Sequence, residues 1–218
     1  MWKLKCYLSL LAILVAMPAV ASVTANDAAP DMTRPIVILG ASYAGAWKIT
    51  AIGGQPVINA GVDGNQSFEM RDRFDDDVVV IRPDKVLIWG FINDIFRAEP
   101  GKVEDAKKTI KASYIAMIRA ARQAGIEVIL ATEVTMSEPQ GVINWLKARI
   151  GPLMGKTSYQ ETISSHVREV NDWMRILANN ENIELLDFEL ALANDDGMRK
   201  GDFTQDDGSH LTPAAYAA

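Results

Sequence analysis

Three features of the sequence predict an α/β fold, a three-layer α/β/α sandwich built on a mostly parallel five-stranded sheet. Five short apolar runs rich in β-branched residues recur along the chain, separated by helix-period segments or polar loops. These runs are continuously apolar rather than alternating, which is the pattern of parallel strands buried on both faces. The chain, 218 residues with 49% hydrophobic and 23% charged and only 9 prolines, is long enough for one core and short for two.

The N-terminus stands apart from this pattern. Lys3 and Lys5 precede an apolar run from Tyr7 to Met17, and small residues follow in "MPAVASVTA". That is the three-part layout of a secretory signal peptide, and the run is shorter than the ~20 residues a membrane-spanning helix needs. A signal over residues 1–25, cleaved after Ala21 or Ala25, and one domain over 26–218 are expected, so the mature protein is secreted or periplasmic and keeps no stable membrane anchor. Cys6, the one cysteine, falls inside the signal without a lipobox, leaving the mature chain no thiol to pair.

The strands are expected in "PIVILGAS", "QPVINAGVDG", "DKVLIWGFIND", "IEVILATEV" and "IELLDFEL". Between the third and fourth, Lys102 to Gln123 carries apolar residues at a helix period, and Gly125 follows as a stop signal. Thr135 to Tyr159, with Trp145 and several glycines, reads as a partly helical loop that shapes a substrate pocket. Thr212 and Pro213 read as the N-cap and first position of a final helix.

Charge narrows the range of functions. The formal charge is −6, and loss of Lys3 and Lys5 with the signal, with no acid lost, takes it to −8. Such a surface argues against nucleic acid as a partner. Asp75, Asp76 and Asp77 read as a solvated helix end, and neither they nor "DFTQDDG" have calcium-loop spacing, so no metal is expected.

In an open parallel sheet, ligands bind where loops leave the carboxyl ends of the strands. Ser42, Gly61, Asp63, Asn93 and Asp94 fall at those places. Each has an ordinary structural role available: Ser42 as a helix N-cap, Gly61 as a positive-φ residue, Asn93 as a turn former. "GASYAG" is neither the G-x-S-x-G nucleophile elbow nor a dinucleotide loop. His210 is one of two histidines and lies three residues after Asp207, within reach of a carboxylate that would fix its tautomer. His166 has no such neighbours and reads as a surface helix residue.

Taken in order, "G-x-S" after the first strand, a glycine after the second, "G-x-x-N-D" after the third and "D-x-x-H-L" near the C-terminus resemble the SGNH hydrolases, or GDSL esterases and lipases, from Ile36 to Tyr216. The resemblance implies a flavodoxin-like sheet and a cofactor-free serine esterase acting through an acyl-enzyme. It assigns the nucleophile to Ser42, the base to His210 and its orienting carboxylate to Asp207. The oxyanion donors it implies are Ser42, Gly61 and Asn93. The chain departs from the pattern at Ala41, where the family has aspartate before the serine, and by one extra residue between Gly90 and Asn93. Small acyl esters, lysophospholipids and O-acetylated sugars are the implied substrates. An acyltransferase, or a carbohydrate- or lipid-binding module that keeps the fold without the reaction, stands as the alternative.

Overall fold

The computed structural model describes residues 34–137 and 158–218. The proposed signal lies outside these residues, as does most of the loop expected between Thr135 and Tyr159. The elements in chain order are β1 (Ile36–Gly40), α1 (Ser42–Ala46), β2 (Ala51–Ile52), β3 (Gln55–Gly61), α2 (Ser67–Asp72), β4 (Lys85–Trp89) and α3 (Ile92–Phe96). There follow α4 (Val103–Gln123), β5 (Glu127–Ala131), α5 (Tyr159–Glu181), β6 (Glu184–Leu186) and α6 (Phe188–Leu192).

The sheet has six strands in the order β2-β3-β1-β4-β5-β6. All five expected strands are present and run parallel to one another. The sixth, β2, is a two-residue strand antiparallel to β3 at the edge. Every residue of β1 is buried, as a central strand covered on both faces must be. Helix α4 begins one residue after the expected start and ends before Gly125, whose φ of +70° the glycine tolerates. Its buried stripe, Ile110, Tyr114, Met117, Ile118 and Ala121, faces the core. The acidic run Asp75–Asp77 opens a turn of π-helix after α2, and Asp75 and Asp76 are exposed.

The chain leaves β1 toward β3 on one side and returns across it to β4 on the other, so the switch point of the sheet lies at the carboxyl end of β1. In register, Gly40 stands beside both Gly61 of β3 and Trp89 of β4. The loops after these three strands therefore start at one level.

Candidate active site

At the end of β1 the backbone turns directly into α1. A Cβ on Gly40 would lie 2.2 Å from Trp89 O and 2.5 Å from Ala44 Cβ, so only glycine lets the helix start this close to the sheet. Ser42 is the first residue of that helix rather than its cap. Ala41 holds the N-cap position, with no side-chain capping bond, so the structural role open to serine here is not the one it fills. Ser42 Oγ has no hydrogen-bond partner among the described residues, and its side chain is half-buried at the sheet edge.

The loop after β3 is fastened on both sides. Asn59 Nδ2 donates to Ala44 O at 2.7 Å and to Trp47 O at 2.9 Å, satisfying carbonyls at the end of α1. Asn59 Oδ1 accepts from Gly61 N at 2.9 Å. The Gly61 N–H, expected to face an oxyanion, is thus already bonded. A Cβ on Gly61 would lie 2.1 Å from Gly45 N, so this glycine serves the close approach of β3 to α1. The next glycine, Gly64, has φ +75° in the Val62–Asn65 turn, and its N–H has no partner among the described residues.

Asn93 lies in the second position of α3 and donates from Nδ2 to Asn65 O at 2.9 Å. An amide nitrogen carries two hydrogens, so one remains for a ligand beside the Gly64 turn. Neighbouring groups hold this arrangement in place. Arg73 binds Asn65 Oδ1 and Gly40 O at 2.7 and 3.0 Å. Asp94 accepts from Ser67 N and Oγ at 2.8 and 2.7 Å, and burial pushes its carboxyl up to about 6 against those bonds. Glu133, fully buried after β5, accepts from Phe91 N and Ile92 N at 3.0 and 3.3 Å and so anchors the start of α3. Burial pushes Glu133 up to about 7. Tyr114 pins the same loop through Gly90, donating to its carbonyl at 3.2 Å.

The C-terminal loop is a small hairpin. Thr204 pairs with Leu211, and Gln205 N donates to His210 O at 2.9 Å. At its tip, Asp207 Oδ1 accepts from Ser209 N and His210 N, both at 2.9 Å, while Asp207 Oδ2 meets His210 Nδ1 at 2.6 Å. The hydrogen bond to the imidazole and the two amides hold the Asp207 carboxyl far below the usual carboxylate range. The dyad is half-exposed. Its imidazole stands edge-on to the ring of Tyr43, the residue after Ser42, with centroids 6.4 Å apart. Among the described residues no hydrogen bond joins Ser42 to His210; the imidazole bonds through Nδ1 to Asp207. The residues after Pro213 form a 3₁₀ turn, Ala215–Ala217, rather than the expected helix, and Thr212 Oγ1 donates to Asp202 O at 2.9 Å.

His166 lies on α5 as expected but is more enclosed than a surface residue, 22% exposed and 3.8 Å from Glu169. Glu104, His166 and Glu169 bring ligand atoms within 4.8 Å of one another, the single such group among the described residues. Lys107 Nζ bridges Glu104, at 2.6 Å, and Glu169, supplying the positive charge there itself. Two apolar cavities, of about 350 and 480 Å³, flank Trp47, Leu211 and Tyr216, and none of Ser42, Asn93 and His210 lines them.

Comparison with known proteins gives the family and the fold. The sequence model of the GDSL-like lipase/acylhydrolase family matches residues 37–218. The chain belongs to that family. It is an ester-hydrolysing enzyme, and its mostly parallel sheet is the one found in related structures. A lipase/acylhydrolase from Enterococcus faecalis is similar at TM-score 0.59 and 19% identity, covering 85% of this chain and 90% of that one. An acetylxylan esterase from Geobacillus stearothermophilus is similar at TM-score 0.55 and 14% identity, covering 84% and 89%. The lipoprotein YqeF of Bacillus subtilis is 22% identical over 172 residues, 76% of this chain and 71% of the relative. No described helix is long and apolar enough to cross a membrane.

Sequence reasoning missed the supporting residues Glu133, Tyr43, whose hydroxyl donates to Ser209 O at 2.8 Å, and Arg199, which donates to Gly208 O at 3.3 Å. Glu133 had a visible signal, an acid at the carboxyl end of an otherwise apolar strand in "IEVILATEV". Arg199, beside Lys200 in "GMRKGD", had none.

Proposed function

We propose that the protein is an exported serine esterase that cleaves carboxylic esters through an acyl-enzyme on Ser42. The observation that carries this reading is the 2.6 Å contact between Asp207 Oδ2 and His210 Nδ1. A carboxylate on Nδ1 holds the ring proton there and leaves Nε2 as the base. Ser42 Oγ attacks the acyl carbon as its proton passes to His210 Nε2. The tetrahedral oxyanion is held by the N–H groups of Ser42 and Gly64 and the free hydrogen of Asn93 Nδ2, with Gly64 taking the place of Gly61. Collapse expels the alcohol, which takes the proton from His210. Water then attacks the acyl-enzyme, the proton returns by way of His210 to Ser42 Oγ, and the acid leaves.

The half-exposed dyad favours water as the acceptor over an acyltransferase's second alcohol. The similarity to an acetylxylan esterase supports small acyl groups on sugars among the substrate classes, which also include simple acyl esters and lysophospholipids. Export rests on the Lys-flanked apolar leader and agrees with the lipoprotein name of the Bacillus subtilis relative. The test is a ladder of p-nitrophenyl esters and acetylated xylo-oligosaccharides, hydrolysed by purified protein beside Ser42→Ala. Turnover that the variant loses supports the reading. Turnover that the variant keeps, or none from either protein on any ester, removes it.

A further inference from the structure

We propose that Tyr43 and Arg199 form a positioning pair that locks the Asp207–His210 turn to the helix carrying Ser42. The inference rests on the serine-esterase reading above. Arg199 is 1% exposed; the buried Glu133 carboxyl interacts with it electrostatically but makes no direct ion pair with it. A buried guanidinium is costly unless its donors are satisfied. Its three side-chain bonds all go to this assembly. Arg199 Nε donates to Thr204 Oγ1 at the base of the hairpin at 3.0 Å, Nη2 to Gly208 O at its tip at 3.3 Å, and Nη1 to Tyr43 Oη at 3.3 Å.

Tyr43 completes the connection. Its hydroxyl accepts from Arg199 and donates to Ser209 O at 2.8 Å, so the proton direction along the chain of bonds is set. The arginine also lies against the Tyr43 ring, 5.9 Å from its centroid. Tyr216 Oη donates to Tyr43 O at 2.9 Å and fixes the backbone of α1 at the same residue. The two carbonyls that lie between Asp207 and His210, those of Gly208 and Ser209, are therefore held by one arginine and one tyrosine. The tyrosine adjoins the nucleophile. The dyad's internal bonds, Asp207 to Ser209 N, His210 N and His210 Nδ1, belong to the turn itself and do not involve the pair. The pair thus governs where the intact dyad sits relative to Ser42 and leaves the dyad's own geometry to Asp207.

That division of labour makes the test specific. In Tyr43→Phe, which keeps the ring and removes the hydroxyl, kcat on p-nitrophenyl acetate and the rate of labelling by a fluorophosphonate should both fall by about 10- to 10²-fold, the scale of a misplaced catalytic group. KM should stay within about twofold, the marker of an interaction that matters only in the reaction step. The downfield NMR signal of the His210 Nδ1 proton should persist, because the dyad itself is intact. Arg199→Lys, which keeps a charge but loses the fork, should fall in the same way as Tyr43→Phe. Labelling of both variants at the wild-type rate overturns the positioning role while leaving the esterase reading standing. Loss of the Nδ1 signal in Tyr43→Phe also overturns it, since the effect would then be general disorder of the loop. Absence of labelling in the wild-type protein overturns the esterase reading and this inference with it.

Discussion

Asn93 separates catalysis from stability more sharply than any other residue of the site. Its Nδ2 spends one hydrogen on Asn65 O, at 2.9 Å in a partly buried loop. Replacing Asn93 by alanine loses that bond, worth about 1 kcal/mol. Alanine's better helix propensity in the second position of α3 offsets a few tenths of that. The expected fall in Tm is about 2–4 °C for a chain of this size. The lost oxyanion donor is the larger effect, about 2.7–4 kcal/mol at the transition state, or ~10²–10³-fold in kcat. Steady-state kinetics on a short-chain chromogenic ester, run beside thermal unfolding, reads both quantities. A KM near that of the wild type with kcat reduced by the stated factor agrees with the assignment. Unchanged kcat, or a raised KM with kcat intact, would show that Asn93 only shapes the turn.

Burial makes Glu133 titrate near 7 when folded against 4.5 ordinarily, and Asp94 near 6 against 3.8. Both acids favour the folded state most fully below their ordinary values, and that advantage is lost as pH rises through about 6 and about 7. In urea unfolding, Glu133→Gln should therefore flatten the decline in stability between about pH 5 and pH 8 by roughly 3 kcal/mol; superimposable pH profiles would contradict the burial argument. His210→Ala should reduce kcat by roughly 10²–10⁴-fold, the range for losing a general base, with His166→Ala close to wild type in the same assay; equal losses would put the base elsewhere. Gly61→Ala should fail to fold or unfold well below the wild-type temperature, because its Cβ meets backbone 2.1 Å away, whereas Gly64→Ala, strained at φ +75° but meeting only the movable end of Arg97 at 2.8 Å, should fold with reduced stability and lose turnover. Circular dichroism and kinetics on Gly64→Ala check this: a folded variant with wild-type turnover would show that the positive-φ backbone at Gly64 is not needed to shape the site.

Sequence legibility followed the range of the interactions involved. The five main strands and α4 were readable because burial on both faces, or on one helical stripe, writes itself into a local run of residues. The two-residue β2 left no such trace. It pairs only along the edge, and Ala51 is exposed. At the site, Asp207 and His210 were readable because their contact spans a single turn. That the Gly61 N–H is already bonded was not, since it depends on Asn59, which accepts from Gly61 and ties the end of α1 to β3. Ser42 looked like an N-cap because serine so often is one; the close approach that Gly40 permits moves the cap to Ala41. Pro213 suits a 3₁₀ turn as well as a helix start, since both use its fixed φ. Nothing in its local sequence sets Arg199 apart, and only the fold brings it to Tyr43, 156 residues away.

The measurement that tests the central claim most directly is intact-protein mass spectrometry after treatment with a fluorophosphonate, followed by peptide mapping. An unactivated serine is nearly inert to such reagents, so a stable adduct reports a hydroxyl that a base has activated. The account predicts one adduct at neutral pH, located on Ser42, absent in Ser42→Ala and strongly slowed in His210→Ala. A folded wild-type protein that gains no mass, or an adduct mapped to any other serine, would contradict it.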